Sequence, residues 1–227
     1  YTVNDNSDAA DAGVSCGSPT HSTIQAAVTA AQGNAQANDV INVCEGTYNE
    51  VVTVTEDGLT LNGAQAGNDA RSRAFTDESL ITGAGANQGG VSLGGNNVVF
   101  DGFAIEDGDS PSVAGGMYTL PSKSGYIVRN NRFRSNIFGL YLHSSGTIPT
   151  QVTKNSFDTN TDPGSSTGSG IYSDQGASNV TVEQNEFTGH TSAAFNMAGT
   201  QSNITFQNND LNDDDSIVAF TTNGLDI

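Results

Sequence analysis

Apolar and polar positions repeat most regularly in the second half of the chain. Four segments align on one template: Tyr126 to Phe133, Thr150 to Phe157, Val180 to Phe187 and Ile204 to Leu211. Each is a short alternating strand, an asparagine and a second apolar position. The asparagines Asn131, Asn155, Asn185 and Asn209 follow one another at 24, 30 and 24 residues. Val98 to Ile105 fits the same template, with Phe103 in the asparagine place. Short strands recurring at this period are the mark of a solenoid. Alternation then turns Val128, Val152, Val182 and Phe206 inward, with Phe133, Phe157, Phe187 and Leu211 as a second inward column. A further strand in each repeat predicts a third column of Leu140, Ile171, Phe195 and Val218.

The first sixty residues follow another pattern. Ser22 to Ala31 is alanine-rich, with Ile24, Ala27, Val28 and Ala31 at helical spacing. Ser22 or Thr23 can cap its start, and Gly33-Asn34 ends it. Three strands follow: Val40 to Val43, Glu50 to Val54 and Leu59 to Leu61. They make one triangular coil, whose open edge the helix would cover. The domain reading is an arm and capping helix over 1–38 and a solenoid over 39–227.

Ser22-Thr-Ile-Gln-Ala-Ala-Val, Asp39 to Tyr48 with its Gly46-Thr47-Tyr48 turn, Val52-Thr-Val and Leu59-Thr-Leu-Asn-Gly63 together resemble the opening of the pectin-lyase-like superfamily. The opening Tyr1-Thr-Val-Asn-Asp also resembles the first strand of bacterial cell-surface β-helix domains. The resemblance implies an all-β right-handed parallel β-helix of three sheets with a short N-terminal capping helix. It implies no single activity, because that superfamily holds lyases, hydrolases, epimerases, adhesins and non-catalytic surface proteins.

Composition narrows the functions. The formal net charge is −18, from 25 acids and 7 bases, which leaves no basic footprint for nucleic acid. No run of 18 apolar residues occurs, so no membrane insertion is expected. Cys16 and Cys44 are too few for a zinc motif, and the expected outcome is a disulfide tying the arm to the first coil. A disulfide implies export, so the expected location is secreted or at the cell surface. Tyr1-Thr2-Val3 reads as a mature terminus.

The candidate sites are few. Asn131, Asn155, Asn185 and Asn209 are expected to form a structural ladder that satisfies backbone groups at a bend. Asp158, Asn160 and Asp162 match positions 1, 3 and 5 of a calcium loop, but Pro163 and Ser169 depart from it at positions 6 and 12; a solvated loop competes with that reading. Calcium is the one cofactor the sequence offers, and Asp213 to Asp215 form a second acidic run. Tyr141 and Tyr172 should face outward on adjacent coils with His143 and Asp174 beside them, a set suited to contacting a glycan or to pairing a base with its orienter. Asn179 and Asn203 open two sequons one coil apart. Arg129, Arg132 and Arg134 cluster on one coil and are expected to pair along the rows with Glu183 and Glu186.

Short loops and no acids paired on neighbouring coils favour a non-catalytic extracellular structural module. The alternative is a polysaccharide-binding or polysaccharide-cleaving protein. The expected partners are an extracellular polysaccharide or the chain itself, stacked head to tail through an open last coil, with Tyr1-Thr-Val as a strand to donate.

Overall fold

Three-residue alternating strands bury one side chain in two, and the chain turns between them. In the computed structural model, which describes residues 1–4, 16–34, 38–83, 90–109, 115–213, 216–219 and 222–226, these strands form three parallel sheets. Sheet A runs Thr2–Val3, Val40–Val43, Thr60–Asn62, Val99–Asp101, Ile127–Arg129, Thr150–Thr153, Ala177–Glu183, Gln201–Gln207 and Thr222–Asp226. Sheet B runs Gly46–Tyr48, Ser79–Thr82, Phe103–Glu106, Arg132–Arg134, Ser156–Asp158, Glu186–Thr188 and Asp210–Asn212. Sheet C runs Val52–Val54, Val91–Leu93, Met117–Thr119, Phe138–Tyr141, Ser169–Ser173, Ala193–Met197 and Ile217–Ala219. Seven coils contribute one strand to each sheet, and Thr2–Val3 and Thr222–Asp226 add a strand at either end of sheet A.

Like residues stack over like, about 4.8 Å apart as parallel strands require. Leu61, Phe100, Val128, Val152, Val182 and Phe206 are in register on sheet A. Phe133, Phe157, Phe187 and Leu211 are in register on sheet B, and the three phenylalanines are fully buried. The third column is Leu140, Ile171, Phe195 and Ile217; Val218 pairs with Asn196 instead. The expected position was one residue off because Ile217 and Val218 are equally apolar and β-branched. The small residue before the column decides it. Gly139 and Gly170 lie against the phenylalanine stack, where an added Cβ would come within 2.7 Å of Phe157 and 2.6 Å of Phe187. Ala194 is next in that row and bonds through its N–H to the Ser216 carbonyl.

The helix Ile24–Gln32 buries Ile24, Ala27, Val28 and Ala31, and Thr23 is its cap. The Glu50 carboxylate accepts from the free N–H groups of Ile24 and Gln25, at 2.8 and 2.9 Å. Its glutamines protect the edge of sheet C: Gln25 and Gln32 accept from the backbone N–H groups of Thr53 and Thr55, at 2.6 and 2.8 Å. The edge is thus satisfied by side chains where a further strand would otherwise be needed. The other edge, on sheet A, is covered by the chain's own Thr2–Val3, in register with Asn42 and Val43. That segment is part of the solenoid, engaged within the chain.

Cys16 and Cys44 are bonded across a sequence separation of 28. A loop of this size contributes about 3–4 kcal/mol in the chain-entropy model. Reduction is expected to raise amide exchange in residues 1–44 first and leave the distal coils protected, since coil stabilities are local. Uniform loss of protection along the chain would contradict this.

At the far end, Thr222–Asp226 runs parallel to Gln201–Gln207, so this segment extends sheet A and does not fold back over the preceding coil. Asp214 and Asp215 lie outside the described residues.

Not every connection is short. Residues 63–78 form a strap along the outside of four coils. Gly67 donates its N–H to Asp101, Ala70 to the Lys154 carbonyl, and Arg73 bonds the Asn130 carbonyl at 2.6 Å. Arg73 is paired with buried Glu78 at 2.9 Å. Arg132 donates to the Arg73 carbonyl, and Arg134 lies 4.2 Å over the Phe75 ring.

Candidate functional site

Sheet C, with the residues just past its strands, carries the tyrosines, His143 and Asp174 that the sequence offered as a candidate contact face. Its inward column is aliphatic and aromatic, so alternation sends Tyr118, Tyr141 and Tyr172 outward in register on three consecutive coils. Ring centroids lie 5.4 Å apart between Tyr118 and Tyr141, and 5.3 Å apart between Tyr141 and Tyr172. All three are half-buried. Asp174 joins two of them: its carboxylate accepts from the Tyr141 hydroxyl at 2.5 Å and from the Tyr172 hydroxyl at 3.2 Å. Gln175 donates its amide to the Tyr141 oxygen at 3.1 Å. Burial first, and then the bonded carboxylate, pushes the Tyr141 phenol well above its ordinary pKa. Burial does the same, more weakly, to Tyr118.

His143 departs from its expected outward position. The strand ends at Tyr141, and His143 is tied back to Thr119 on the preceding coil. Its N–H donates to the Thr119 hydroxyl at 2.7 Å, and its Nδ1 lies 2.9 Å from the Thr119 carbonyl. The ring is fully buried under Tyr118 and Tyr141. A carbonyl can only accept, so Nδ1 carries the proton and Nε2 the lone pair. Burial holds the imidazole pKa below its usual value. Nε2 stands 3.7 Å from the Asp174 carboxylate, beyond hydrogen-bond range. Thr119, and not Asp174, orients the ring. The expected pairing of a base with a carboxylate orienter is therefore not assembled. Tyr118, which sequence reasoning missed, completes the strip. Its coil lacks the asparagine used to align the others.

The asparagine ladder is formed. Asn131, Asn155 and Asn185 each donate Nδ2 to the next asparagine's Oδ1, at 3.2, 3.0 and 3.0 Å. Each Oδ1 also accepts a backbone N–H from the coil before, as Asn155 does from Asn131 at 2.9 Å. A second column was missed. Asn136 donates to Asn160 Oδ1 at 2.8 Å, and Asn160 Nδ2 lies 3.0 Å from His190 Nε2. The signal was in the sequence: Asn136, Asn160 and His190 each stand five places after a rung of the first ladder.

That column corrects the calcium reading. Asn160 is fully buried, and its oxygen is committed to Asn136. Its side chain is turned into the solenoid, where Nδ2 also bonds the Phe133 carbonyl at 3.0 Å. Pro163 stands where a calcium loop has the glycine of its sharp turn.

The arginines pair with the preceding coils and not with Glu183 or Glu186. Arg129 meets buried Asp101 at 2.8 Å, Arg134 meets Glu106 at 2.5 Å, and Arg132 lies 3.8 Å from Glu78. Glu183 instead accepts from Gln207. Asn179 and Asn203 are side by side, with Asn203 Nδ2 bonded to Asn179 Oδ1 at 2.7 Å.

Residues 28–211 match the family described as right handed beta helix region. The chain belongs to the right-handed β-helix family. The three parallel sheets agree with that membership and with the pectin-lyase-like resemblance. No curated protein and no solved structure matches the chain. No described helix of this β-helix is long and apolar enough to cross a membrane.

Proposed function

We propose that this β-helix is a non-catalytic extracellular structural module. The observation that carries the reading is where its polar groups go. Asp101, Glu78 and Glu106 are paired with arginines, Asp174 holds two tyrosines, and the buried asparagines bond one coil to the next. Groups committed in this way join coils and are not poised to move protons on a substrate. The disulfide fits an oxidising compartment outside the cell.

Incubation with a panel of polyuronides, with and without calcium, tests the proposal. The expected result is no release of reducing ends and no absorbance from unsaturated products. Turnover of any member that is abolished by Asp174→Asn would overturn it.

A second reading, glycan contact without cleavage, rests on the tyrosine strip. Three outward rings edged by Asp174 and Gln175 offer aromatic faces beside hydrogen-bonding groups, as sugar rings require. The net charge of −18 favours a neutral polymer over a polyanion.

A further inference from the structure

We propose that His143 and Asp174 form a binding site for a divalent transition metal ion such as Zn²⁺ or Cu²⁺. The inference is independent of the structural-module reading.

It starts from an orphan atom. His143 Nε2 is buried with no hydrogen-bond partner. Buried polar atoms in folded proteins are almost always satisfied, and an unsatisfied one marks a place for an ion or a water. The ring's protonation pattern narrows the choice. Nδ1 donates to the Thr119 carbonyl at 2.9 Å, so Nε2 presents a lone pair. An imidazole held at one nitrogen by a backbone carbonyl, with the other nitrogen free, is the arrangement that orients a metal-ligating histidine.

The group facing that lone pair is also a donor of electron pairs. Asp174 Oδ1 lies 3.7 Å from Nε2. Two such atoms repel unless something electrophilic sits between them. A proton does not fit, because an N–H···O bond closes to about 3.2 Å or less. A metal ion does fit. With bonds of about 2.1 Å to nitrogen and oxygen, a 3.7 Å separation corresponds to an angle of about 125° at the metal, within reach of a four-coordinate site. The Tyr141 hydroxyl donates to the same carboxylate oxygen at 2.5 Å and steadies Asp174, as hydrogen bonds to ligating carboxylates do. Water would complete the set. Among the described residues no three His, Cys, Asp or Glu side chains converge, so the protein would supply two ligands and water the remaining positions.

Imidazole with a carboxylate oxygen suits Zn²⁺ or Cu²⁺ and not Ca²⁺, which takes six to eight oxygens. Entry is from the solvent side, where the Asp174 side chain is 37% exposed.

The test is titration of the whole chain with zinc chloride and copper(II) chloride by calorimetry. High ionic strength should be used, because a chain of net charge −18 attracts cations without any site. The expected result is one saturable site per chain that excess calcium does not displace. Bound Cu²⁺ should show coupling to one ring nitrogen in its electron paramagnetic resonance spectrum. His143→Gln should remove that coupling and weaken binding by about 10-fold or more. Asp174→Asn changes a partly exposed residue, should preserve the fold by circular dichroism, and should weaken binding by a similar factor. His21→Gln should change neither. No saturable binding would overturn the proposal and leave a buried water as the partner of Nε2. Displacement by calcium, or unchanged affinity in a folded Asp174→Asn, would overturn it as well.

Discussion

Phe157→Ala is expected to lower the unfolding free energy by about 3–5 kcal/mol. The ring is fully buried between two others in nearly parallel stacking. Its centroid is 4.8 Å from Phe133 at 6° and 4.9 Å from Phe187 at 5°. Truncation removes both contacts and opens a cavity that stacked parallel strands cannot collapse, because the backbone spacing is set by hydrogen bonds. Gly139 already sits hard against this ring, so no neighbouring side chain is available to swing in. Phe157→Leu keeps most of the volume and is expected to cost clearly less. Urea denaturation with a fluorescent or circular dichroism readout measures both. A loss below about 1 kcal/mol for the alanine variant would mean that the column is not packed as described.

Asn155→Ala should be about as damaging, for a different reason. Asn155 Oδ1 accepts the Asn131 backbone N–H at 2.9 Å, and Asn155 Nδ2 donates to the Val128 carbonyl at 2.9 Å and to Asn185 at 3.0 Å. Alanine leaves these partners buried and unbonded. Each orphaned group costs about 1–3 kcal/mol, so a total near 3–5 kcal/mol is expected. Asn155→Asp keeps the acceptor but loses the donor and adds a buried charge beside the Asn185 oxygen, and should fare no better. Asn209→Ala provides the contrast. Asn209 stands at the end of the described ladder and is only half-buried, so its loss should cost less. Equal costs at the two positions would show that the ladder does not act through buried unpaired groups.

The inward columns of sheets A and B, the capping helix, the disulfide and the asparagine ladder were legible in the sequence of this β-helix. The disulfide follows from there being two cysteines; each of the others rests on a pattern that is local or repeats at a fixed interval. Alternation of period two picks the buried face of a strand, helical spacing picks the face of Ile24 to Ala31, and the coil repeat stacks Asn131 on Asn155. Stacking needs no further information, because parallel coils place equivalent residues together.

What the tertiary structure alone decided lies where the pattern is interrupted. Alternation has no authority beyond the end of a strand. His143 is two places past Tyr141 and was expected outside, but bonds to Thr119 on another coil draw it under the tyrosines. Asn160 resembled a calcium ligand by its neighbours in sequence; its place five residues after Asn155 was a sign of the second column, but only the contacts with Asn136 and His190 decided between the two readings. The arginines found their acids on earlier coils and on the strap at 63–78, whose course over four coils carries no repeat to read. The sequence by itself determined a solenoid and most of its core, because those depend on spacing along the chain. Apart from the asparagine ladder, the structure decided which polar groups meet and which nitrogen is left without a partner, because those depend on distances across coils that no repeat in the chain encodes.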